Sequence, residues 1–107
     1  MSNGYVGVLT VDLHLPSAHS LKDKRREVKR VAAGLARRFS CSVAEVDGHD
    51  RWQLARMTAA VVTRDAPDAD RLTSEALNWL DSDPEAQVVR HARDVIAIGT
   101  DEMAPLR

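Results

Sequence analysis

The chain has 107 residues, with 15 basic and 16 acidic side chains, a net charge of −1 and a single cysteine. This length suits one domain with its own core and excludes two lobes around a cleft; one cysteine excludes an internal disulfide. No apolar run reaches the roughly 20 residues of a membrane span, so we expect a cytoplasmic protein without a membrane partner. The expected domain covers residues 1–107, with an ordered core at about 5–98 and a flexible tail at 99–107.

The first predicted element is a strand, Val6–Leu15, in which apolar and polar residues alternate. Such alternation is typical of a strand with one buried and one solvated face. Residues 1–5 form a loosely held polar lead before it, and Pro16 ends it.

An amphipathic helix is predicted next, beginning near Leu21. Ser20 is placed to cap its first-turn amides, and Asp23 completes a weak capping box. The apolar positions recur about every 3.6 residues, which is typical of a helix packed on a sheet. They are Leu21, Val28, Val31, Ala32, Leu35 and Phe39.

Two strands, Cys41–Asp47 and Arg51–Arg64, are predicted to form a hairpin. The four residues 47–50 read Asp-Gly-His-Asp, and Gly48 favours a turn because glycine readily adopts positive φ. The inward face of the second strand consists of Ala55, Met57, Ala59 and Val61.

A second helix is predicted to start at residues 65–68, where Pro67 lies in the first turn and acids lie near the positive end of the helix dipole. Its inner stripe is Ala69, Leu72, Ala76 and Leu80, and Asp83-Pro84 ends it. A last strand, about Ala86–Ile98, contains charged residues that interrupt its alternation. This interruption predicts a bulge or an edge position.

The predicted order is therefore β-α-β-β-α-β. Connection rules favour a four-stranded antiparallel sheet with two helices on one face, an α+β ferredoxin-like fold. The first and third strands are expected at the centre of the sheet.

The clearest functional signal is the sorting of charges on the first helix. A basic flank, defined as Lys22, Arg25, Arg26, Lys29, Arg30 and Arg37, lies beside the apolar stripe, whereas acids dominate from Asp65 onward. Such asymmetry predicts one side that faces a polyanion. The alternative interpretation is an ordinary solvated helix face.

A second candidate site lies on the helix-free face of the sheet and comprises Asp12, His14, Arg56 and Trp52. Two such faces stacked in a dimer could enclose a small ligand. A metal at Asp12, His14 and His19 is the weaker interpretation, because the first two occupy ordinary solvent-facing positions of a strand. We expect no metal, no cofactor and no catalytic residue, because no catalytic motif or phosphate loop occurs.

Several short segments carry a family pattern: Leu13-His14-Leu15-Pro16, Ser20-Leu21-Lys22-Asp23-Lys24-Arg25, Phe39, Ser42-Val43-Ala44-Glu45-Val46 and Trp52-Gln53. Together they resemble the signature of the YlxP-like family, a small bacterial family of unknown function. The resemblance implies a ferredoxin-like domain whose genes often lie among those for translation initiation and ribosome maturation. It implies ribosomal RNA or ribosomal proteins as partners and brings no catalytic residues. The chain departs from the pattern in its last strand, at Arg90, His91 and Arg93.

The charges and the resemblance together predict a nonenzymatic accessory protein that binds RNA or a ribosomal particle through the basic flank. Six phosphate contacts would give a log–log salt slope of about −4 to −5 on single strands. Binding should be largely indifferent to sequence, because phosphate contacts position a protein without specifying bases.

A symmetric homodimer is also predicted. Val6, Val8, Leu54 and Val62 leave an apolar area on the open sheet face that a monomer would expose. The expected interface is this face first and edge pairing along Cys41–Val46 second, where Glu45 is the only charged deterrent on the outer face.

Overall fold

The structure, a computed structural model, describes residues 2–106. The elements in chain order are β1 (Ser2–His14), α1 (Leu21–Phe39), β2 (Ser42–Asp47), β3 (Leu54–Thr63), α2 (Ala66–Asp81) and β4 (Gln87–Gly99). All four strands form one antiparallel sheet in the order β2-β3-β1-β4. The predicted α+β ferredoxin-like fold is confirmed, with β1 and β3 at the centre.

The first strand is longer than its sequence pattern indicates. β1 begins at Ser2 and not at Val6, because backbone pairing continues past the alternating segment: Ser2 lies opposite Gly99, and Tyr5 opposite Ala97. Residues 2–5 are therefore part of the sheet and not a loose lead. Met1 and Arg107 lie outside the described residues, and the division into a core and a flexible tail stays a prediction.

The third strand is shorter than predicted. It begins at Leu54 and not at Arg51, because residues 48–53 form a wide connection in which the Arg51 amide donates to the Gly48 carbonyl at 2.9 Å. Gly48 has the expected positive φ, at 85°. Trp52, predicted at the start of the strand, lies in this connection with 55% of its surface exposed.

Both helix starts form as their sequences predict. The Ser20 hydroxyl accepts from the Asp23 amide at 3.0 Å, and the Asp23 carboxylate accepts from the His19 amide at 3.1 Å. At α2, the Asp65 carboxylate accepts from the Asp68 amide at 2.8 Å. These bonds satisfy amides that have no partner within the helix.

The core lies between the sheet and the two helices. Its members on the sheet include Leu9, Val11 and Leu13 of β1 and Ala55 and Met57 of β3, each at most 2% exposed. From the helices, Val31 and Leu35 of α1 pack with Ala76 and Leu80 of α2. The other predicted stripe positions of α1, among them Val28, Ala32 and Phe39, are half-buried at the margin of this core.

β4 lies at the edge of the sheet and contains a bulge, as its interrupted pattern predicted. Asp12 lies opposite Arg90 while the next residue, Leu13, lies opposite Val88, so Val89 is the extra residue. Regular pairing continues on both sides of a bulge, but the register differs by one residue between the two sides. The bulge brings Arg90 beside Asp12 on the open face.

Candidate nucleic-acid interface

Five members of the basic flank are exposed side chains along α1: Lys22, Arg25, Arg26, Lys29 and Arg37. Arg26 approaches Asp23 at only 3.4 Å, a long contact between exposed groups. The other four have no ion-pair partner among the described residues. Exposed cations that have no internal partner, or only a long contact as Arg26 has, are free to contact an anion, so these five side chains form a positive surface along α1.

Arg30, the sixth predicted member, is bound by the protein itself. Its Nη1 lies 2.7 Å from Asp83 Oδ2, and its Nη2 lies 3.1 Å from both Asp83 Oδ1 and Glu27 Oε1. The side chain of Asp83 is 5% exposed and also accepts from the Glu85 and Ala86 amides at 2.9 and 3.0 Å. Arg30 therefore joins α1 to the loop after α2 and is not a free cation.

Asp83 is expected to make stability pH-dependent. Hydrogen bonds from Arg30 hold its pKa below the usual 3.8, so the folded state favours the carboxylate. Its contribution is complete above the unfolded pKa and is lost as pH falls through the folded pKa. Asp83→Asn should lower the free energy of unfolding by about 1–2 kcal/mol at pH 7, because the hydrogen bonds from Arg30 lose their charged acceptor. The effect is no larger because Arg30 is partly exposed and solvent screens the ion pair.

Urea titration from pH 7 to pH 2 should show wild type and Asp83→Asn converging below pH 4. The exposed neighbour Asp81 supplies the control, since it has no ion pair with Arg30 and Asp81→Asn should change the free energy of unfolding at pH 7 by no more than about 0.5 kcal/mol. A constant gap between wild type and Asp83→Asn across this range would contradict the role assigned to Arg30.

Lys24 lies within the same basic segment but is buried, with 1% exposure. Its Nζ donates to the Gly48 carbonyl and forms an ion pair with Glu45 Oε2 at 2.7 Å, at an angle outside hydrogen-bond geometry. Helix periodicity alone gives no sign of this, because Lys24 contacts residues more than 20 positions away. It is the site residue that sequence reasoning missed.

Glu45 was predicted to be a charged deterrent on the outer face of the edge strand, and this prediction is wrong. It lies opposite Met57, so its side chain shares the helix-covered face and reaches Lys24. Gln53 similarly donates to the carbonyls of Pro16 and Ala18, both at 3.1 Å. Four of the segments that carry the family pattern, residues 13–16, 20–25, 42–46 and 52–53, therefore contact one another at one end of the sheet and hold its loops, whereas Phe39 lies beside Gly7 and Val61.

The open sheet face is charged at one end. Asp12 Oδ1 accepts from Arg56 Nε at 2.6 Å, and Asp12 Oδ2 accepts from Arg90 Nε at 3.0 Å. The hydrogen bond from Arg56, supported by Arg90, lowers the pKa of Asp12. Since guanidinium groups occupy both carboxylate oxygens, Asp12 is poorly placed to act as a base or a metal ligand.

The structure brings together only part of the second candidate site. His14 Nδ1 lies 3.1 Å from Gln87 Oε1, beyond the Asp12–Arg56 pair. An open groove of about 510 Å³ runs beside this pair and is lined by Arg51, Arg56 and Arg90 together with residues of the 47–50 turn. Trp52 and His14 do not line it. Arg90 does, and its pairing with Asp12 could not be read from the sequence because it depends on the bulge.

The other end of the open face is apolar. Val62, Val6 and Ile96 lie in one row across β3, β1 and β4. Val62 is 73% exposed and Ile96 is 48% exposed. Of the apolar area predicted from the sequence, Val6, Val8 and Val62 lie together at this end, whereas Leu54 lies opposite His14 at the charged end.

Neither α1 nor α2, the helices found in residues 2–106, combines the length and the hydropathy that a membrane-spanning helix needs. A family model described as "Protein of unknown function (DUF503)" matches residues 6–93. The uncharacterized protein YlxP of Bacillus subtilis (strain 168) is 27% identical over 82 residues, which cover 77% of this chain and 89% of that protein. These matches confirm the resemblance to the YlxP-like family.

One solved structure, "De novo designed protein Foldit4", has a TM-score of 0.52 with this chain at 15% identity. The match covers 89% of this chain and 99% of the designed one. At this identity, the likeness shows the fold alone.

Proposed function

Because the chain belongs to the DUF503 family, described as proteins of unknown function, we propose its role from the surface of α1. The proposal is a cytoplasmic, nonenzymatic accessory protein of translation or ribosome maturation that contacts RNA or a ribosomal particle. The observation that carries it is the set of exposed cations on one helix flank, of which only Arg26 approaches an acid, Asp23, at 3.4 Å. The predicted homodimer belongs to this proposal as well, since two copies would present two flanks.

The contact surface is smaller than the sequence pattern indicates. With Arg30 bound to Asp83, five cations remain, namely Lys22, Arg25, Arg26, Lys29 and Arg37. Five phosphate contacts give a log–log salt slope of about −3 to −4 on single strands. Asp83 and Glu85 of the loop after α2 lie beside Arg30, so negative charge borders this surface on one side.

The test compares two variants with the same change in net charge. Lys22→Glu/Lys29→Glu reverses two flank cations, whereas Arg51→Glu/Arg64→Glu reverses two exposed cations outside α1. The first should weaken binding of a fluorescent oligouridylate and of purified ribosomal subunits by about tenfold or more at 0.1 M salt. Its salt slope should become shallower by about 1.4.

The control variant should bind almost as wild type does, and each variant is first checked for an unchanged melting temperature. Equal binding by wild type and Lys22→Glu/Lys29→Glu, or equal losses in both double variants, would refute a site on α1. Absence of binding by the wild-type protein would refute the RNA proposal itself.

The competing proposal is a small-molecule site on the open sheet face of a dimer. The groove is lined by the guanidinium groups of Arg51, Arg56 and Arg90 together with three carboxylates, those of Asp12, Asp47 and Asp50, so it would suit a polar ligand that presents both charges. Melting in the presence of inorganic phosphate or Mg²⁺ distinguishes the two proposals. An upward shift with either probe, without any shift on adding RNA, would favour this second function.

A further inference from the structure

The outer edge of β4 is a long stretch of unpaired backbone. β4 has 13 residues, whereas β2, the opposite edge strand, has 6. From Ala97 to Arg90 its pairing with β1 is uninterrupted, so this part of the edge is regular. Within the described part of the chain no further strand covers it. An edge of this kind is a template for another strand.

Charged side chains usually protect such an edge, but those of β4 have opposite signs on one face. Arg90 lies opposite Asp12 and Asp94 lies opposite Val8, and both neighbours belong to the open-face row of β1. Arg90 and Asp94 stand two positions on either side of Ala92. A twofold axis at Ala92 would therefore place Arg90 of one copy opposite Asp94 of the second copy, and Asp94 of the first opposite Arg90 of the second.

We propose that two copies of this chain pair antiparallel along β4, with Ala92 opposite Ala92 of the second copy. Arg90 of each copy then faces Asp94 of the other, which gives two ion pairs on the open face. Pairs directly opposite on neighbouring strands lie close enough to interact. The contact joins two four-stranded sheets into one of eight strands.

The register follows from geometry and charge. Residues that lie opposite each other in a continuous sheet have side chains on the same face. The twofold axis must therefore set one residue opposite its own copy, and it cannot fall between two successive residues of the strand. An axis at Arg93 would set two arginines against each other, and one at Asp94 two aspartates. Of the axis positions from Arg90 to Ile96, only Ala92 places opposite charges together.

Both charged groups have unused bonding capacity. Arg90 uses Nε and Nη2 on Asp12 Oδ2, at 3.0 and 2.9 Å, and its Nη1 has no partner among the described residues. Asp94 accepts only from the amide of Val95, at 2.8 Å, and no cation of the described chain pairs with it. Arg90 can therefore bridge its own Asp12 and the Asp94 of the second copy.

Edge pairing is favoured over the stacking of open faces that the sequence predicted. Stacking would cover the cluster of Asp12, Arg56 and Arg90 together with Asp94, and removing charges from water is costly. Pairing along β4 leaves that cluster solvated and adds main-chain hydrogen bonds. Because the twofold axis is perpendicular to the sheet, both α1 helices remain on the same side of it.

Sedimentation velocity on charge variants tests the register. Asp94→Arg sets Arg90 against an arginine, and Arg90→Asp sets Asp94 against an aspartate, so each variant alone should raise the dimer Kd by about tenfold or more. An equimolar mixture should form heterodimers with wild-type affinity, because all opposing charges are then of opposite sign. Asp81→Arg, a reversal on α2, should leave association unchanged.

Arg90→Asp also removes the intramolecular bond between Arg90 and Asp12, which could itself weaken the fold. The mixture controls for this effect, because adding the second variant would not repair a folding defect in Arg90→Asp. Val62→Glu distinguishes the two interfaces: it places a carboxylate in a stacked face, but Val62 lies on β3 opposite Val6, away from Asp94, so an edge pair stays intact. A wild-type monomer at micromolar concentration, a mixture that stays monomeric, or dissociation by Val62→Glu would each overturn the proposal. None of these readouts depends on RNA binding.

Discussion

Lys24→Met is expected to lower the free energy of unfolding by about 3–5 kcal/mol, the usual effect of removing one partner of a buried ion pair. Methionine keeps most of the side-chain volume, so the loss is mainly electrostatic. Glu45, 17% exposed, would lose its counterion, and the Gly48 carbonyl would lose its donor. Urea denaturation at pH 7, with the slope compared between variants, measures the effect.

The adjacent Lys22 provides the control, because Lys22→Met changes an exposed residue on the same helix and should shift stability by no more than about 0.5 kcal/mol. Lys24→Met/Glu45→Leu should be more stable than Lys24→Met alone, since it removes the stranded carboxylate together with its partner. A double variant as unstable as the sum of both single variants would show that the pair is not coupled.

Gly7→Val is expected to destabilise the protein by about 1–3 kcal/mol, because α2 lies too close to this position of β1 for a side chain. A Cβ atom at Gly7 would lie 2.9 Å from Thr73 Cγ2, 3.0 Å from the Ala69 carbonyl oxygen and 3.2 Å from Val61 Cγ1. The helix would have to move away from the sheet, although valine by itself favours a strand. The measurement is again the midpoint of urea denaturation.

Gly99→Val is the matched control, since nothing lies within 4 Å of a Cβ atom there and both glycines are in strands. It should stay within about 0.5 kcal/mol of wild type. Thr73→Ser removes the methyl group that crowds Gly7 while retaining the hydroxyl bonded to the Ala69 carbonyl. It should recover part of the loss in Gly7→Val, and no recovery would show that the strain does not arise from the contact with Thr73.

The surroundings of Lys24 and Gly7, together with the basic flank, show which features of this protein can be predicted from the sequence and which cannot. Alternation in β1 and the apolar stripe of α1 arise between near neighbours in the chain, so their faces were predictable. Ser20 and Asp65 are caps for the same reason: each bonds an amide three residues away. The order of elements then leaves few topologies, and the ferredoxin-like sheet is one of them.

Ion pairing between distant segments was decided only by the tertiary structure. Lys24 looks like the other cations of its segment, yet it is buried because the fold brings Glu45 and Gly48 against it. Arg30 meets Asp83 because α1 packs beside the end of α2, and this contact removes it from the flank that the sequence predicted. Coulombic and hydrogen-bond energies depend on distances of a few ångströms, which local periodicity does not fix.

The bulge at Val89 is the last example, because it determines which residue of β4 lies beside Asp12 and therefore where Arg90 stands. The sequence determined that β4 would be irregular or at an edge, through the charges that interrupt its alternation. It left open which backbone position would absorb the extra residue. That position depends on how thirteen residues of β4 align with thirteen of β1, a property of the paired strands and of neither segment alone.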